Sequence, residues 1–453
     1  MKTTTSWWSQ QSRPQLSRRG FLQGSLLAAG GLAVSACGTT LGAGVAGTKL
    51  SASTVDYWDL FGGGDGERMQ VMLDGFKKAH PELGLQSTTL AWGNPYYTKL
   101  ALSTVGDQPP DAAVSHLSRV STLVEGDLLQ ELTTEDLERN GLKAEDFEEK
   151  AWELCQFDGK TYALPLDTHP FVLFYNTDIC KKAGLLEGDD ALKSLDGPDA
   201  FVEAMEAAKK AGAAWGAVSP VNNDASTNWR IFQSLYSQLG GEVLADNGTK
   251  VVIDDDKALQ VLDYLKNLAD KELMPKDVDY GGAVALFASG DSAFYLMGEW
   301  EITTFQTAEM PFSMTLFPNV FGGEGGYKVQ ADLHTLIIPR SDGNQQRTDN
   351  ALTFMRSLLE QSFTWAEGGH VPSYLPVKDS EEYKKLTPQS NYAAAAEAAV
   401  LTPPAWYSGS GSTFELTIGS AIATVRAGQG SPQQALKQMK SGLQILAETE
   451  SPV

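Results

Sequence analysis

The sequence predicts an α/β protein of two lobes joined by extended crossing segments. Strand and helix patterns alternate over residues 50–125, and a second alternating series follows from residue 197. Between the two series lies a proline-containing stretch, Tyr162 to Asp178. The chain has 453 residues, of which 42% are hydrophobic, so it carries enough core for two or more domains.

The stretch from Tyr162 to Asp178 is predicted to be extended, because Pro165 and Pro170 fix φ and bias the preceding residues away from helix. Asp167 and His169 stand where a core strand would stay apolar, so we expect them to face a cleft between the lobes. On these residues alone, an ordinary loop before an ordinary strand is an equal alternative.

Charge and cysteine content exclude several partners. The formal net charge is −22, which disfavours nucleic acid and anionic membrane surfaces as partners. The three cysteines, Cys37, Cys155 and Cys180, lack zinc-type spacing. After export, Cys155 and Cys180 could form a disulfide or stay buried as thiols.

The N-terminus, residues 1–36, is predicted to be a removable export signal, because its apolar run over 26–33 is too short and too glycine-rich to span a membrane. Arg18 and Arg19 resemble the signal of the twin-arginine route, which moves folded cargo. The small residues that end in Cys37 resemble a lipoprotein cleavage site. By that resemblance Cys37 is acylated and residues 37–49 form a flexible tether. The alternative is a secreted protein without a lipid.

The first α/β series predicts three strands, over 50–57, 85–91 and 111–116, whose carboxyl ends line one crevice. A glycine-rich loop, 62–66, follows the first strand and leads into a predicted helix with Met69, Met72, Leu73 and Phe76 on one side. The loop matches no dinucleotide fingerprint, because Glu67 stands where the third glycine belongs. The strand ends and the residues just after them supply Trp58 and Asp59, Trp92 and Asn94, and His116 and Arg119.

The second series predicts a helix from Gly197 to Gly212, a strand over 215–218 and a helix that begins near Trp229. A long helix is predicted over 350–365. His370 to Pro376, with two prolines, is a second candidate crossing segment.

Several motifs, in this order, resemble those of the extracellular solute-binding lipoproteins of ATP-binding-cassette sugar importers, relatives of maltodextrin-binding proteins. The likeness covers residues 50–445. The motifs are the lipobox, the opening strand with its glycine-rich loop, Pro110-Asp111-Ala112-Ala113-Val114, Tyr162-Ala163-Leu164-Pro165 leading to Leu173-Phe174-Tyr175-Asn176, and Gly298-Glu299-Trp300.

This resemblance implies a periplasmic-binding-protein-like fold with a ligand cleft at the hinge. Lobe one would comprise residues 50–168 and 329–376, and lobe two residues 169–328 and 377–453. It also implies a monomeric saccharide receptor without a cofactor, anchored by lipid on the outer face of the cytoplasmic membrane. Hinge closure would present the loaded protein to a permease.

A sugar presents flat C–H faces and hydroxyl groups, so its site combines stacked aromatic rings with polar side chains. The tryptophan candidates are Trp58, Trp92, Trp229, Trp300 and Trp406. Core packing is the alternative for some of them. The polar candidates are Asp59, Asn94, His116, Arg119, Asp167, His169, Glu299, Asp332, His334 and His370. We expect alanine at Trp300 or Asp332 to weaken sugar binding without unfolding the protein.

Metal binding and catalysis are the competing interpretations. Every histidine except His80 falls at a predicted strand end or crossing, but none has the close sequence spacing of a strong metal motif, so no metal is expected. An exported glycoside hydrolase would need two carboxylates. No nucleophile elbow or His-Glu-x-x-His motif is present, and the resemblance supplies no catalytic pair, so no catalytic residue is predicted. A polyol, peptide or metal complex is the alternative ligand for the same receptor fold.

Overall fold

The computed structural model describes residues 51–451, apart from 52, 189, 323–325 and 342. Arg18, Arg19, Cys37 and the predicted tether lie outside the described residues. Within the described part, no helix has the length and apolar character needed to cross a membrane. Cys155 and Cys180 are buried free thiols, one in each of the two hydrophobic cores.

Strands and helices alternate along the chain. The strands are β1 (Thr54–Asp59), β2 (Gly84–Thr89), β3 (Ala112–His116), β4 (Gln156–Phe157), β5 (Lys160–Thr161), β6 (Ala163–Pro165), β7 (Asp167–Asn176), β8 (Leu186–Glu187), β9 (Ala191–Leu192), β10 (Trp215–Val218), β11 (Leu244–Ala245), β12 (Lys250–Val251), β13 (Ser292–Gly298), β14 (Phe312–Leu316), β15 (Val329–Asp332), β16 (His334–Ile337), β17 (Val371–Pro372) and β18 (Ala399–Val400). The helices are α1 (Gly63–Ala79), α2 (Asn94–Val105), α3 (Leu117–Glu125), α4 (Thr134–Arg139), α5 (Glu149–Leu154), α6 (Thr177–Lys182), α7 (Pro198–Lys210), α8 (Ala225–Gln238), α9 (Asp255–Asp270), α10 (Tyr280–Ala288), α11 (Ile302–Thr307), α12 (Gln345–Glu360), α13 (Ser362–Glu367), α14 (Leu375–Lys378), α15 (Glu381–Lys384), α16 (Thr413–Arg426) and α17 (Pro432–Glu448).

Two larger sheets carry the architecture. The first has five strands in the order β2-β1-β3-β16-β6, and the second has seven, in the order β10-β13-β7-β15-β18 with β14 and β17 also paired to β7. The first core draws on residues 55–166 and 333–377. The second draws on residues 171–329 and 392–443 together with Val371.

At two of its passages between the sheets, a single residue separates the strands. Leu166 separates β6, in the first sheet, from β7, in the second, and Leu333 separates β15, in the second, from β16, in the first. The prediction of an extended crossing is therefore confirmed over residues 162–176, whereas Thr177 and Asp178 begin α6. All ten residues of β7 are buried, so its polar side chains lie inside the protein and not on an open cleft wall.

Helix α1 shows how local sequence sets the structure. It buries Met69, Met72, Leu73 and Phe76, the apolar side predicted from their spacing. The prediction of a glycine-rich loop over 62–66 is wrong, because α1 begins at Gly63. Here glycine serves close packing: a β-carbon on Gly64 would lie 2.8 Å from Cβ of Thr303. The helix predicted over 350–365 is likewise two helices, α12 and α13, divided at Gln361.

Candidate functional site

Four histidines meet where the chain crosses between the sheets. Antiparallel pairing places His334 of β16 opposite His116 of β3. The ring centroids of His169 and His334 are 4.0 Å apart in a stacked arrangement, and those of His334 and His370 are 5.5 Å apart. The name histidine cluster is used below for His116, His169, His334 and His370. The fifth histidine, His80, stacks instead on Phe76.

Asp167 binds three members of the histidine cluster. Its carboxylate oxygens lie 3.0 Å from Nδ1 of His169, 2.8 Å from Nδ1 of His334 and 3.0 Å from Nδ1 of His370. Trp365 also donates its indole N–H to Asp167 Oδ2 at 2.6 Å. Burial by itself would raise the pKa of Asp167, but His334, His370 and His169 together hold it well below its usual range. Asp167 is therefore an ionised and fully buried carboxylate.

His370 is surrounded by acidic groups. Its Nε2 lies 3.0 Å from Asp65 Oδ1, and its Nδ1 lies 3.1 Å from Glu299 Oε1. Burial opposes the charged form, but Asp65 and Asp167 outweigh it and raise the pKa of His370 well above its usual value. Burial also raises the pKa of the fully buried Glu299 to about 7, against the lowering effect of His370. His370 is thus the cation of this group.

The other side of the histidine cluster is uncharged. Burial, then His334 and His169, lower the pKa of His116 well below its usual value. Burial and His334 lower the pKa of His169 to about 3. Tyr97 fixes His116 by a contact of 2.8 Å between its hydroxyl and Nδ1. Neutral imidazoles therefore extend from Asp167 toward Trp92, whose ring centroid is 6.3 Å from that of His116.

Two tryptophans enclose an arginine beside the histidine cluster. The guanidinium carbon of Arg230 lies 5.7 Å from the ring centroid of Trp92 and 5.5 Å from that of Trp300. Trp92 precedes α2 and is 42% exposed, whereas Trp300 is half-buried with its N–H donated to the Tyr280 hydroxyl at 2.9 Å. We call Trp92, Arg230 and Trp300 the indole clamp. Trp92 lies in a segment that flanks the first core, and Trp300 packs against the second core. Arg230 contacts both indole rings.

Arg230 is held by groups from the C-terminal part of the chain. Its Nη2 donates to Ser410 Oγ at 2.9 Å, and its Nε lies 3.6 Å from Glu415 Oε1. Glu415 is 1% exposed and accepts hydrogen bonds from Gly411 N at 2.8 Å and Ser226 Oγ at 2.6 Å. A buried carboxylate thus fixes the guanidinium between the two indoles.

The loop 408–411 reaches the first sheet through Arg119. Arg119 donates to the Ser410 carbonyl at 3.0 Å and to Asn94 Oδ1 at 2.6 Å. Ser410 N in turn donates to Ser118 Oγ at 3.0 Å. A β-carbon on Gly409, whose φ is +98°, would lie 2.5 Å from the Ser118 carbonyl oxygen. The two halves of the chain therefore meet closely beside the indole clamp.

Most of the predicted site residues lie in this region. Contacts described above join Trp92, Asn94, His116, Arg119, Asp167, His169, Glu299, Trp300, His334 and His370. Sequence reasoning missed Arg230, Glu415 and Ser410. A helical pattern could have found Arg230. Adjacent residues of a helix differ by about 100° around its axis, so Arg230 faces a different direction from the core residue Trp229.

Trp229 requires a correction. The sequence predicted that it binds ligand, but its side chain is 1% exposed in the second core, with its ring 4.9 Å from that of Phe414. Trp58 and Trp406 lie against other neighbours. The Lys99 ammonium lies 5.9 Å from the Trp58 ring, and Trp406 packs edge to face on Tyr407. Their contact with a ligand stays a prediction.

Asp59 and Asp332, two of the three predicted aspartates, have structural partners. Asp59 accepts the Phe61 N–H at 3.2 Å, and burial raises its pKa to about 6. Asp332 is 2% exposed and accepts Ser118 N–H at 3.1 Å in the first turn of α3, so it positions this helix and, through it, Arg119.

The argument against a metal site needs revision. It rested on wide spacing along the chain, whereas strand register brings one ligand atom each from Asp167, His169, His334 and His370 within 4.8 Å of one another. Sequence spacing cannot detect a cluster assembled from three separate segments.

The chain is similar to known binding proteins over most of its length. It is 25% identical over 360 residues to the arabinooligosaccharide-binding protein of Bacillus subtilis, covering 76% of this chain and 78% of that one. It is 23% identical to the xylose/arabinose-binding protein XacG of Haloferax volcanii, covering 75% and 77%. The GacH receptor of Streptomyces glaucescens, solved unliganded and with acarbose, superimposes with a TM-score of 0.72 at 19% identity, covering 87% of this chain and 98% of that one.

These likenesses agree with the topology of the chain. The fold is the two-lobe α/β fold of maltose-binding-protein-type periplasmic binding proteins, which confirms the fold class predicted from the sequence. The family model described as "Bacterial extracellular solute-binding protein" matches residues 72–395, about seven-tenths of the chain. The fold agrees with this match. The match shows that the chain belongs to the bacterial extracellular solute-binding protein family.

Proposed function

We propose that this protein is a saccharide receptor that delivers a mono- or oligosaccharide to a membrane ATP-binding-cassette permease. One observation carries the proposal: the partly exposed Trp92 and Trp300 lie 5.7 Å and 5.5 Å from the Arg230 guanidinium carbon, beside Asn94 and Arg119. Indole faces cover the C–H faces of a sugar, and guanidinium and amide groups bind its hydroxyls. The names of the relatives, an arabinooligosaccharide-binding and a xylose/arabinose-binding protein, support a carbohydrate ligand.

The lobes are proposed to close on the ligand. Lobe one would comprise residues 50–168 and 329–376, and lobe two residues 169–328 and 377–453. Contacts of loop 408–411 with Ser118 and Arg119 represent the closed arrangement. A ligand that touches both lobes favours the closed state over the open one, so binding shifts the population toward closure.

The affinity needed for uptake is within reach of this site. A micromolar dissociation constant corresponds to about −8 kcal/mol. Each charge-assisted hydrogen bond from Arg119 or Arg230 contributes about 1.5–3 kcal/mol before ordering costs are subtracted. Two such bonds together with indole contact supply an affinity of this order.

Export and anchoring are part of the proposal. Arg18 and Arg19 would direct the folded chain to the twin-arginine route, and Cys37 would carry the lipid that holds it on the outer face of the cytoplasmic membrane. The receptor would act as a monomer without a cofactor, and its macromolecular partner would be the permease.

Equilibrium dialysis tests the receptor against an enzyme. The full-length protein is dialysed against arabino-oligosaccharides, malto-oligosaccharides and their monomers, and the bound fraction is then released and analysed by chromatography. A receptor retains one sugar saturably and returns it intact. Shortened products would show a hydrolase, and no retention of any saccharide would overturn the proposed ligand class.

A further inference from the structure

We propose that Asp167, His169, His334 and His370 bind one divalent transition-metal ion of the Zn²⁺ class. One ligand atom from each residue lies within 4.8 Å of the others. The four side chains are at most 6% exposed. None of these four residues belongs to the indole clamp, and the inference does not rest on the proposed function.

The donor atoms have nearly the separations of a coordination sphere. Nδ1 atoms of the three histidines lie 2.8–3.0 Å from oxygens of the same carboxylate, Asp167. In a tetrahedral zinc site with bonds of about 2.0–2.2 Å, neighbouring ligand atoms are about 3.3 Å apart. The imidazoles would therefore have to move away from Asp167 by about 0.5 Å, and donors that lie up to 4.8 Å apart would have to approach one another, for an ion to sit among the four.

An independent observation points to the same place. Glu299 is fully buried, and neither of its carboxylate oxygens forms a hydrogen bond within the described part of the chain. Nδ1 of His370 also lacks a well-aligned hydrogen bond there, although Glu299 Oε1 is only 3.1 Å away. The 3.1 Å contact between His370 Nδ1 and Glu299 Oε1 is thus poorly aligned for a hydrogen bond. A bound ion would take the place of the His370 proton at Nδ1, and the carboxylates of Asp167, a ligand, and of Glu299, beside it, would face its positive charge.

The outer contacts match those that orient metal ligands. When the ion binds, His370 would release its Nδ1 proton to solvent, coordinate through Nδ1 and keep its Nε2 hydrogen for Asp65 Oδ1, 3.0 Å away. Trp365 donates to Asp167 Oδ2 at 2.6 Å and stacks on the His370 ring with centroids 4.1 Å apart. A hydrogen bond from the free imidazole nitrogen to a carboxylate fixes the tautomer and the ring of a metal-bound histidine.

The donor set selects the class of ion. Three imidazoles and a carboxylate suit Zn²⁺, Cu²⁺, Ni²⁺ or Co²⁺, whereas Ca²⁺ and Mg²⁺ require shells of oxygen ligands. The ligands come from β7, from β16 and from the residue before β17. A single ion would therefore tie together three segments at the point where the chain crosses between the sheets.

The test uses the full-length protein. Because the cluster is buried, the chain is refolded with excess chelator or with ZnCl₂ and desalted, and its metal content and melting temperature are measured. We expect one zinc per chain. We also expect a higher melting temperature with the metal, since free Zn²⁺ at 100 times its dissociation constant shifts the folding equilibrium about 100-fold. Refolding with CoCl₂ is expected to give the intense visible absorption of a four-coordinate site.

Variants assign the site. His169→Gln and His334→Ala are each expected to lower zinc occupancy at least tenfold, whereas His80→Ala, outside the cluster, keeps one zinc per chain. X-ray absorption at the zinc edge of the wild-type protein resolves three imidazole ligands even if both cluster variants fail to fold. Wild-type protein that retains no zinc or cobalt overturns the inference. So does zinc that survives in a folded His169→Gln variant, or an absorption spectrum without imidazole.

Discussion

Replacing Trp92 by alanine tests the proposed saccharide site, because this indole is partly exposed beside Arg230. Trp92 is 42% exposed, and a tryptophan side chain offers roughly 250 Å² of surface, so about 100 Å² is open to a ligand. At ~25 cal/mol per Å², covering that surface contributes about 2.6 kcal/mol, and covering one face contributes about half as much. Trp92→Ala is therefore expected to raise the dissociation constant for the saccharide roughly 10- to 80-fold.

This variant should also be less stable. It loses the cation–π contact with Arg230, worth about 0.5–1 kcal/mol, the edge contact with the His116 ring, and the burial of roughly 145 Å² of indole, worth up to about 3.6 kcal/mol at ~25 cal/mol per Å². Isothermal titration calorimetry measures the affinity, and urea unfolding measures the free energy of unfolding. Trp152→Ala is the matched control, since Trp152 stacks on Phe147 at the surface of the first core, with ring centroids 5.1 Å apart.

The control variant is expected to bind the saccharide as the wild type does. A Trp92→Ala protein that folds normally and binds within twofold of the wild-type affinity would refute the assignment of the indole clamp. If Trp92→Ala and Trp152→Ala lost the same saccharide affinity, the cause would be general destabilisation of the protein instead.

The other predictions concern the second core, the contact between the lobes and one buried carboxylate. Trp229→Phe is expected to lower the free energy of unfolding by about 1–3 kcal/mol and to leave saccharide affinity unchanged. If calorimetry shows a large loss of affinity in the folded variant, Trp229 belongs to the binding site after all. Gly409→Ala places a methyl group 2.5 Å from the Ser118 carbonyl oxygen, so we expect at least a tenfold loss of affinity, whereas Gly197→Ala, with φ of +94° and open space, should show none. Equal affinities in these two variants would contradict closure at loop 408–411. Burial raises the pKa of Asp59 from 3.8 to about 6. Between about pH 4 and pH 6 the native state therefore binds more protons than the unfolded chain, so the free energy of unfolding falls as the pH rises through this range. Asp59→Asn is expected to reduce that fall in urea unfolding curves, and parallel curves for both proteins would contradict it.

Regular patterns in the sequence located much of the fold. The spacing of Met69, Met72, Leu73 and Phe76 identified the buried side of α1, and Pro165 and Pro170 identified the extended crossing. Local patterns failed where long-range packing decides. The glycines after Phe61 looked like a loop, but the approach of Thr303 to Gly64 shows that they serve helix packing.

The site was only partly predictable for the same reason. Polar residues such as His116 and His334 stood out because they interrupt strands, yet only strand pairing places them opposite each other. Arg230 gave no local signal beyond its helical position next to Trp229, and Glu415 gave none, since their contact joins positions far apart in sequence. Trp229 was chosen over its neighbour because the ring suggested stacking, whereas helix geometry turns it into the core.

A crystal structure with the tightest-binding saccharide tests the central claim most directly. The account predicts a sugar ring stacked on the exposed surface of Trp92, with hydroxyls bound by Arg230 and by Arg119 or Asn94, and with loop 408–411 closed on Ser118. A saccharide bound elsewhere, or bound with Trp92 free of contact, would contradict the assignment of this cleft as the binding site.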